Sequence, residues 1–351
     1  MKKDIELHEE FYKKITRRKY LFLISLTGIC IFTFIVDVST GPAQLSIQEV
    51  FSEIFMLGSS SPTTKVIIWT IRLPMALMAM IVGAALGVAG AEMQTILNNP
   101  LASPYTLGVS AGAGFGAALA IVVGVSIIPH HIVEFFVPFN AFIFAMVTSF
   151  LIYLIASTRG ITAETMILAG IALLFLFNSM LALLEYLASP EALQAVIFWL
   201  FGSLMKATWL KLSIISVCSF AAITFLTTRI WKLTALRLGD ERAKSLGIDV
   251  ERLRLEVFIC VSLLTAVAVC FVGTIGFIGL VAPHIARMCV GEDQRFFLPA
   301  SLLEGALLLS AASIASKLVV PGIYFPIGIV TSLLGIPFFL FIILTKRRKY
   351  W

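Results

Sequence analysis

A chain of 351 residues that is 59% hydrophobic and only 13% charged is not built for water, since a soluble domain carries roughly 25% charge. With a mean hydropathy of +1.00, these values exclude a soluble globular protein, a disordered chain and a nucleic-acid-binding domain. The apolar side chains number about 207, and at about 20 per bilayer crossing they set a ceiling of about ten spans.

Apolar runs predict ten membrane segments, over 20–36, 73–97, 106–125, 135–157, 165–187, 209–228, 257–272, 273–286, 296–316 and 326–345. The first follows a basic stretch (1–19). It is too long for a signal-peptide core and no small-x-small cleavage site follows it, so it is read as an uncleaved span. Residues 46–57 are amphipathic, with Val50, Ile54 and Leu57 at helical spacing and Glu49 and Glu53 on another face, which predicts a short helix at the membrane surface. Gly83 and Gly87, and Gly112 and Gly116, stand four apart and predict close helix packing in lipid. Gly273, Gly276 and Gly279, followed by Pro283, predict a helix broken inside the protein, so 273–286 reads as a half-helix. The breaks are short, which leaves no room for a soluble domain, and the whole chain, 1–351, reads as a single membrane domain.

The net charge is +6, and its placement gives orientation. All but five of the 26 basic residues fall on one side if both termini are cytoplasmic and the number of spans is even. The five are Lys65, Arg72, Lys206, Lys211 and Lys317. The basic tail 346–351 and the loop 229–256 then lie in the cytoplasm. That loop mixes seven basic with five acidic residues. Asp240 and Lys244 are four apart on a short predicted helix bracketed by Gly239 and Gly247, a form suited to docking a soluble partner.

No catalytic constellation is present. H-E-x-x-H is absent, and G-x-x-x-x-G-K-[ST] is absent, so the chain is not expected to bind or hydrolyse ATP itself. The five cysteines are scattered without a C-x-x-C pair, which argues against disulfides and a zinc site. Carboxylates inside apolar segments are costly and functional candidates: Glu92 with Gln94 two residues on, Glu304, and Glu185 near a segment end. None has an evident Arg or Lys partner within the membrane. His130 and His131 sit in a polar loop and His284 follows Pro283; such histidines are more often exposed or structural than metal ligands.

Several blocks together are specific. They are RLPMALMAMIVGAALGVAGAEMQTILNNPLASPYTLGVSAGAGFGA (72–117), LAGIAL (168–173), PEALQAVIFWLFGSL (190–204), LGDERAKSLGI (238–248), GTIGFIGLVAPHIAR (273–287) and a final block over 325–343. On these the chain resembles the FecCD-type permeases of type II ABC importers, which take up iron-siderophores, haem and cobalamin, over about 65–345. The resemblance implies an all-α integral membrane protein of ten helices with both termini cytoplasmic, built on inverted repeats. It also implies a homodimer or a pair with a close paralogue, two ATPase subunits that bind ATP and magnesium, and an extracytoplasmic substrate-binding protein. The implied location is a bacterial or archaeal cytoplasmic membrane.

Residue by residue, the family's ATPase-coupling helix falls on Gly239, Asp240, Glu241, Ala243, Leu246 and Gly247. Its outer binding-protein contacts fall on Arg72 and Lys317, and its inner-gate region on Asn99 and Leu101, near Glu92 and Gln94. The family often carries a second arginine where this chain has Met75, arginine where it has Lys317, and an apolar residue where it has Glu92. The resulting expectation is a transport subunit, not an enzyme, carrying a metal chelate. The competing reading is an ion-coupled secondary transporter using Glu92. An intramembrane enzyme lacks any nucleophile–base pattern.

Overall fold

The computed structural model describes residues 2–43, 45–55, 61–124, 133–158, 160–320 and 322–345. His130, His131, Leu57 and the basic tail 346–351 lie outside them. Every regular element among the described residues is helical. In chain order these are α1 (Lys2–Ser39), α2 (Ile47–Ile54), α3 (Pro62–Val66), a π-helical turn (Ile67–Arg72), α4 (Leu73–Ile96), α5 (Val109–Val123), α6 (Val133–Ser157), α7 (Ala163–Leu187), α8 (Pro190–Leu200), α9 (Trp209–Thr227), α10 (Ile230–Leu236), α11 (Asp240–Ser245), α12 (Val250–Val272), α13 (Ile278–Val290), α14 (Gln294–Leu318) and α15 (Ile327–Thr345).

Polar caps decide where the helices start. Ser46 with Glu49 forms a reciprocal capping box on α2, which holds the Glu49 carboxyl below its ordinary range by hydrogen bonds from the Ser46 backbone and hydroxyl. Ser61 before Pro62, Ser189 before Pro190, Thr208 and Asp249 each accept from a backbone N–H in the first turn of the following helix. These caps satisfy donors that would otherwise face lipid unpaired.

Among the described residues seven helices are long and apolar enough to cross a membrane, and four shorter apolar helices accompany them. The ten predicted runs fall on all seven long helices and on three of the short ones, α5, α13 and α15. The fourth, α8, lies in the stretch read from sequence as a break. At about 1.5 Å per residue its 11 residues cannot cross about 30 Å of hydrocarbon. The predicted break at 273–286 is present: α12 stops at Gly273, residues 274–277 are irregular, and α13 resumes at Ile278. Helix α1 begins at Lys2, so the basic N-terminus continues the first span as one helix rather than forming a separate segment.

The fold is organised around α4, the most buried of the long spans, which packs on α14, α12, α13 and α9. The contacts are backbone to backbone. A Cβ placed on Gly83 would meet the carbonyl of Gly305, one on Gly87 that of Ser301, and one on Gly90 that of Gly279. Lipid supplies no hydrophobic drive between helices, so close approach through small residues is what associates them. Gly112 and Gly116 do the same for α5 against α6, where the sites of an added Cβ are filled by Thr148, Asn140 and Phe144. Helix α7, in contrast, leaves Leu168, Phe175, Leu183 and Tyr186 exposed along its length.

Candidate functional site

Two regions at opposite ends of α4 gather the residues singled out from sequence. At its C-terminal end stands α11. Gly239 enters it with φ +97° and ψ 156°, a region open essentially to glycine alone. Ala243 is fully buried in the core, whereas Leu238 and Leu246 on either side are 56% and 64% exposed. Glu241 is exposed as well. The short helix is therefore pinned by one small side chain and presents charged residues and two leucines outward. Gly247, also left-handed, closes it.

Asp240 accepts from Arg254 Nη2 at 2.8 Å. Arg254, on the first turn of α12 and only 4% exposed, also donates from Nε to the Ile96 carbonyl at 2.8 Å and from Nη1 to the Ile161 carbonyl at 3.2 Å. Around these groups lies a polar cavity of about 220 Å³ lined by Thr95, Asn98, Glu164, Gly239, Asp240 and Arg254. The stretch 92–101 runs along the same end. Asn99 Oδ1 accepts from the Leu101 N–H at 2.9 Å, and Leu101 is 43% exposed. Gln94 accepts from Arg287 Nη2 at 2.8 Å. Glu92 is fully buried and neither of its carboxylate oxygens has a hydrogen-bond partner. It lines neither the small cavity nor the large one described below. The loop between α13 and α14 joins this end through Glu292, paired with Arg237; next to it, Asp293 caps α14, its carboxyl held below its ordinary range by hydrogen bonds from Arg295.

At the opposite end of α4 lie Arg72 and Lys317, the residues that the resemblance implies for binding-protein docking. Neither side chain reaches the surface. Arg72 is 2% exposed. It donates to the carbonyls of Val38 at 3.1 Å, Ser39 at 2.9 Å, and Ala43, and so caps the C-terminus of α1, where a cation is favoured. Lys317 is paired with Asp37 at 2.8 Å, both side chains wholly buried. It also donates to the Asp37 carbonyl, while Ser313 donates to Asp37 Oδ1. Asp37 was not anticipated. It ends the first apolar run, 280 residues from its partner, and nothing in the local pattern links the two. Removing one partner strands a buried charge, at about 3–5 kcal/mol. Lys317→Met is therefore expected to lower the thermal midpoint of the purified protein strongly, and Asp37→Asn combined with it to recover most of the loss. A double-mutant cycle by thermal unfolding checks this. Glu53, expected on the polar face of α2, is also turned inward and accepts from the Trp69 indole at 3.1 Å.

Beside this cluster opens a cavity of about 1100 Å³. Its walls include Phe198, Trp199, Met205, Phe271, Tyr324 and Phe325. Two lysines line it: Lys211 is paired with Glu134 at 2.6 Å, while Lys206 makes no ion pair with a described residue. Along it runs irregular backbone from the end of α8, the break between α12 and α13 and the start of α15. The Ser203 N–H donates to Val272, Ile327 to Gly202, Gly328 to Phe201, and the Thr274 hydroxyl to Leu200. Phe277, at the start of α13, holds φ +67° with its ring against Gly335. Strained non-glycine backbone of this kind concentrates at functional sites.

Known proteins share this architecture. The chain is 34% identical to the Fe(3+)-citrate import system permease protein YfmE of Bacillus subtilis, over 96% of this chain and 99% of that one. It is 38% identical to the hemin transport system permease protein HmuU of Yersinia pestis, over 80% and 84%. A solved inward-facing structure of a metal-chelate type ABC transporter superposes with a TM-score of 0.82 at 30% identity, covering 93% of this chain and 99% of that one. The family model for the FecCD transport family matches residues 29–345, and the chain belongs to that family of multi-pass membrane permeases.

Proposed function

We propose that this chain is the permease subunit of an ATP-driven importer that moves a metal chelate, an iron chelate above all, across the cytoplasmic membrane by alternating access. The observation that carries the reading is α11, a short helix anchored by Ala243 with Leu238, Glu241 and Leu246 turned outward. Two exposed leucines flanking a short charged helix are the kind of anchors that a protein groove receives. The reading makes that end cytoplasmic, with a separate ATPase seated on α11. It puts the large cavity on the outer side, where a binding protein delivers the cargo. The exposed apolar face of α7 suits a second copy or a close paralogue, so that two permeases enclose the passage.

The cavity fits this task. Its volume lies just above the usual range for a small-ligand pocket, as a bulky chelate needs, and apolar and aromatic walls hold such a chelate weakly enough to release it. Among its charged lining residues Glu134 is neutralised by Lys211, leaving the ammonium of Lys206 in excess. That favours a cargo with negative charge. Lys206→Glu is expected to weaken uptake of ferric citrate about tenfold, equivalent to about 1.4 kcal/mol, and to leave a neutral ferric hydroxamate within about twofold. Radiolabelled iron uptake at low and high salt measures both.

Ion-coupled transport through Glu92 is the other reading, favoured by that carboxylate's complete burial without a hydrogen-bond partner. One experiment separates them. In proteoliposomes holding the permease, its ATPase and its binding protein, iron uptake should require internal ATP and survive a protonophore. Uptake that persists without ATP and collapses with the gradient would overturn the importer reading.

A further inference from the structure

The last turn of α4 is held by side chains from four other helices or their ends. Arg287 of α13 donates to Gln94 at 2.8 Å and Gln294 of α14 to Thr95 at 2.8 Å. Arg254 of α12 donates to the Ile96 carbonyl at 2.8 Å, and Arg237, which closes α10, to Asn98 Oδ1 at 3.3 Å. A helix C-terminus has free carbonyls that are normally met by water or a glycine turn. Here they, and the polar side chains around them, are met by the protein.

Only one of these four ties reaches α11. The Arg254 guanidinium is a rigid planar fork whose donors cannot move independently. Its three nitrogens meet three separate segments: the first residue of α11 through Asp240, the end of α4 through Ile96, and the α6–α7 connection through Ile161. It is 4% exposed. Among the described residues, Asp240 is the α11 side chain that bonds outside its own helix. Otherwise α11 is held by Ala243 in the core and flanked by Gly239 and Gly247, both at positive φ, around each of which an added Cβ would find open space. The neighbouring cavity of about 220 Å³ leaves free volume on one side of the same guanidinium.

We infer that Arg254 is the positioning residue that transmits displacement of α11 to the C-terminal turn of α4 and the loop beyond it, which carries Asn99 and Leu101. A push on α11 moves Asp240. The fork follows, because a buried guanidinium that lost its carboxylate would remain charged and unpaired. The Ile96 carbonyl follows the fork, and with it the start of the 97–108 loop. Arg237 and Gln294 hold the same turn without bonding an α11 side chain, so to them we assign its resting position, although α10 itself packs on α11. The inference rests on the reading of α11 as the ATPase-docking element.

The test uses the full transporter with its own ATPase and binding protein. The five native cysteines are replaced by serine or alanine, and spin labels are placed at two exposed positions, Glu241 on α11 and Leu101 in the loop. Each is paired with a third label at the exposed Val123 at the far end of α5. In the parent, trapping with ATP and vanadate is expected to shift both distance distributions. In Arg254→Met the Glu241 shift is expected to remain and the Leu101 shift to fall by at least about three quarters. ATP hydrolysed per ferric citrate imported should rise about tenfold or more, and Arg254→Lys should lie between.

A merely structural role would reduce both shifts together or neither. Retention of the Leu101 shift in Arg254→Met, with the coupling ratio within about twofold of the parent, overturns the inference. Should Arg254→Met fail to assemble, Asp240→Asn weakens the α11 tie alone and leaves both carbonyl bonds in place. The same split between the two shifts is then required, and its absence overturns the inference. Absence of any ATP-dependent shift at Glu241 in the parent overturns the docking reading instead.

Discussion

A single methyl group at position 90 is expected to disrupt the packing at the centre of the fold. The Cβ of Gly90→Ala would sit on the carbonyl of Gly279, and backbone of α13 lines the whole approach. No flexible side chain can give way there, so α4 and α13 must separate. Overpacking in well-filled cores costs about 1–3 kcal/mol and occasionally more. Backbone against backbone belongs at the upper end, because in lipid the lost contact is itself the force that associates the helices. The same holds for Gly83→Ala and Gly305→Ala, which face each other across α4 and α14. Each is expected to lower the thermal midpoint of the detergent-solubilised protein by about 5–10 °C, at about 2–4 °C per kcal/mol. Gly276→Ala is the control. Nothing lies within 4 Å of its added Cβ, and it should shift the midpoint by less than about 2 °C. Equal effects at positions 90 and 276 would show that the contact does not organise the fold.

The second large effect is functional. Gly239→Pro is expected to leave the protein inserted and folded while reducing ATP-driven uptake about a hundredfold, equivalent to about 2.7 kcal/mol of lost coupling. The position needs φ +97°, and proline is fixed near −65°. The Gly239 N–H also donates to the Leu236 carbonyl at 3.0 Å, a bond that proline cannot make. Space is not the obstacle, since an added Cβ meets nothing within 4 Å. The change therefore redirects α11 without disturbing the bundle. Gly239→Ala keeps the N–H and incurs only backbone strain of about 1–3 kcal/mol, so it should fall between the parent and the proline variant. Charge reversal at Asp240 should resemble the proline variant, because it sets like charges against the buried Arg254. Uptake, ATPase rate and thermal midpoint measured together check this. A proline variant with normal uptake would remove α11 from the coupling path.

Long-range order was legible where it depends on residue type and spacing. The runs at 73–97 and 257–272 fall on α4 and α12, the glycine-marked break lies at 273–277, and the bracketed segment 240–245 is α11. The missing element, α8, was hidden by its length. Its apolar residues begin after Ser189–Pro190, a start signal that was present, but 11 residues fall short of a span and were counted with the break. Burial of charge was the least legible feature. Arg72 and Lys317 lie near the ends of apolar runs, where a cation ordinarily reaches toward headgroups. Here the C-terminus of α1 folds over them, and Asp37 and the carbonyls of 38, 39 and 43 replace the water. That exchange depends on how α1 lies against α14, which no local pattern encodes. Glu92 is sealed inside the bundle, a placement that its position in an apolar run does not fix.

The irregular backbone along the large cavity has a consequence for how such a passage opens. Backbone bonds tie the end of α8 to the break after α12 and to the start of α15, from Ser203 to Val272, Ile327 to Gly202 and Gly328 to Phe201. These bonds join separate segments and lie outside any one helix ladder. Any movement that draws α8 away from α15 unpairs several N–H and C=O groups at once, each at a cost of several kcal/mol if left dry in hydrocarbon. Only water arriving in the gap can satisfy them. Parting and hydration are therefore one event at this level, and the dry, closed arrangement is restored when the strands of irregular chain find one another and expel that water.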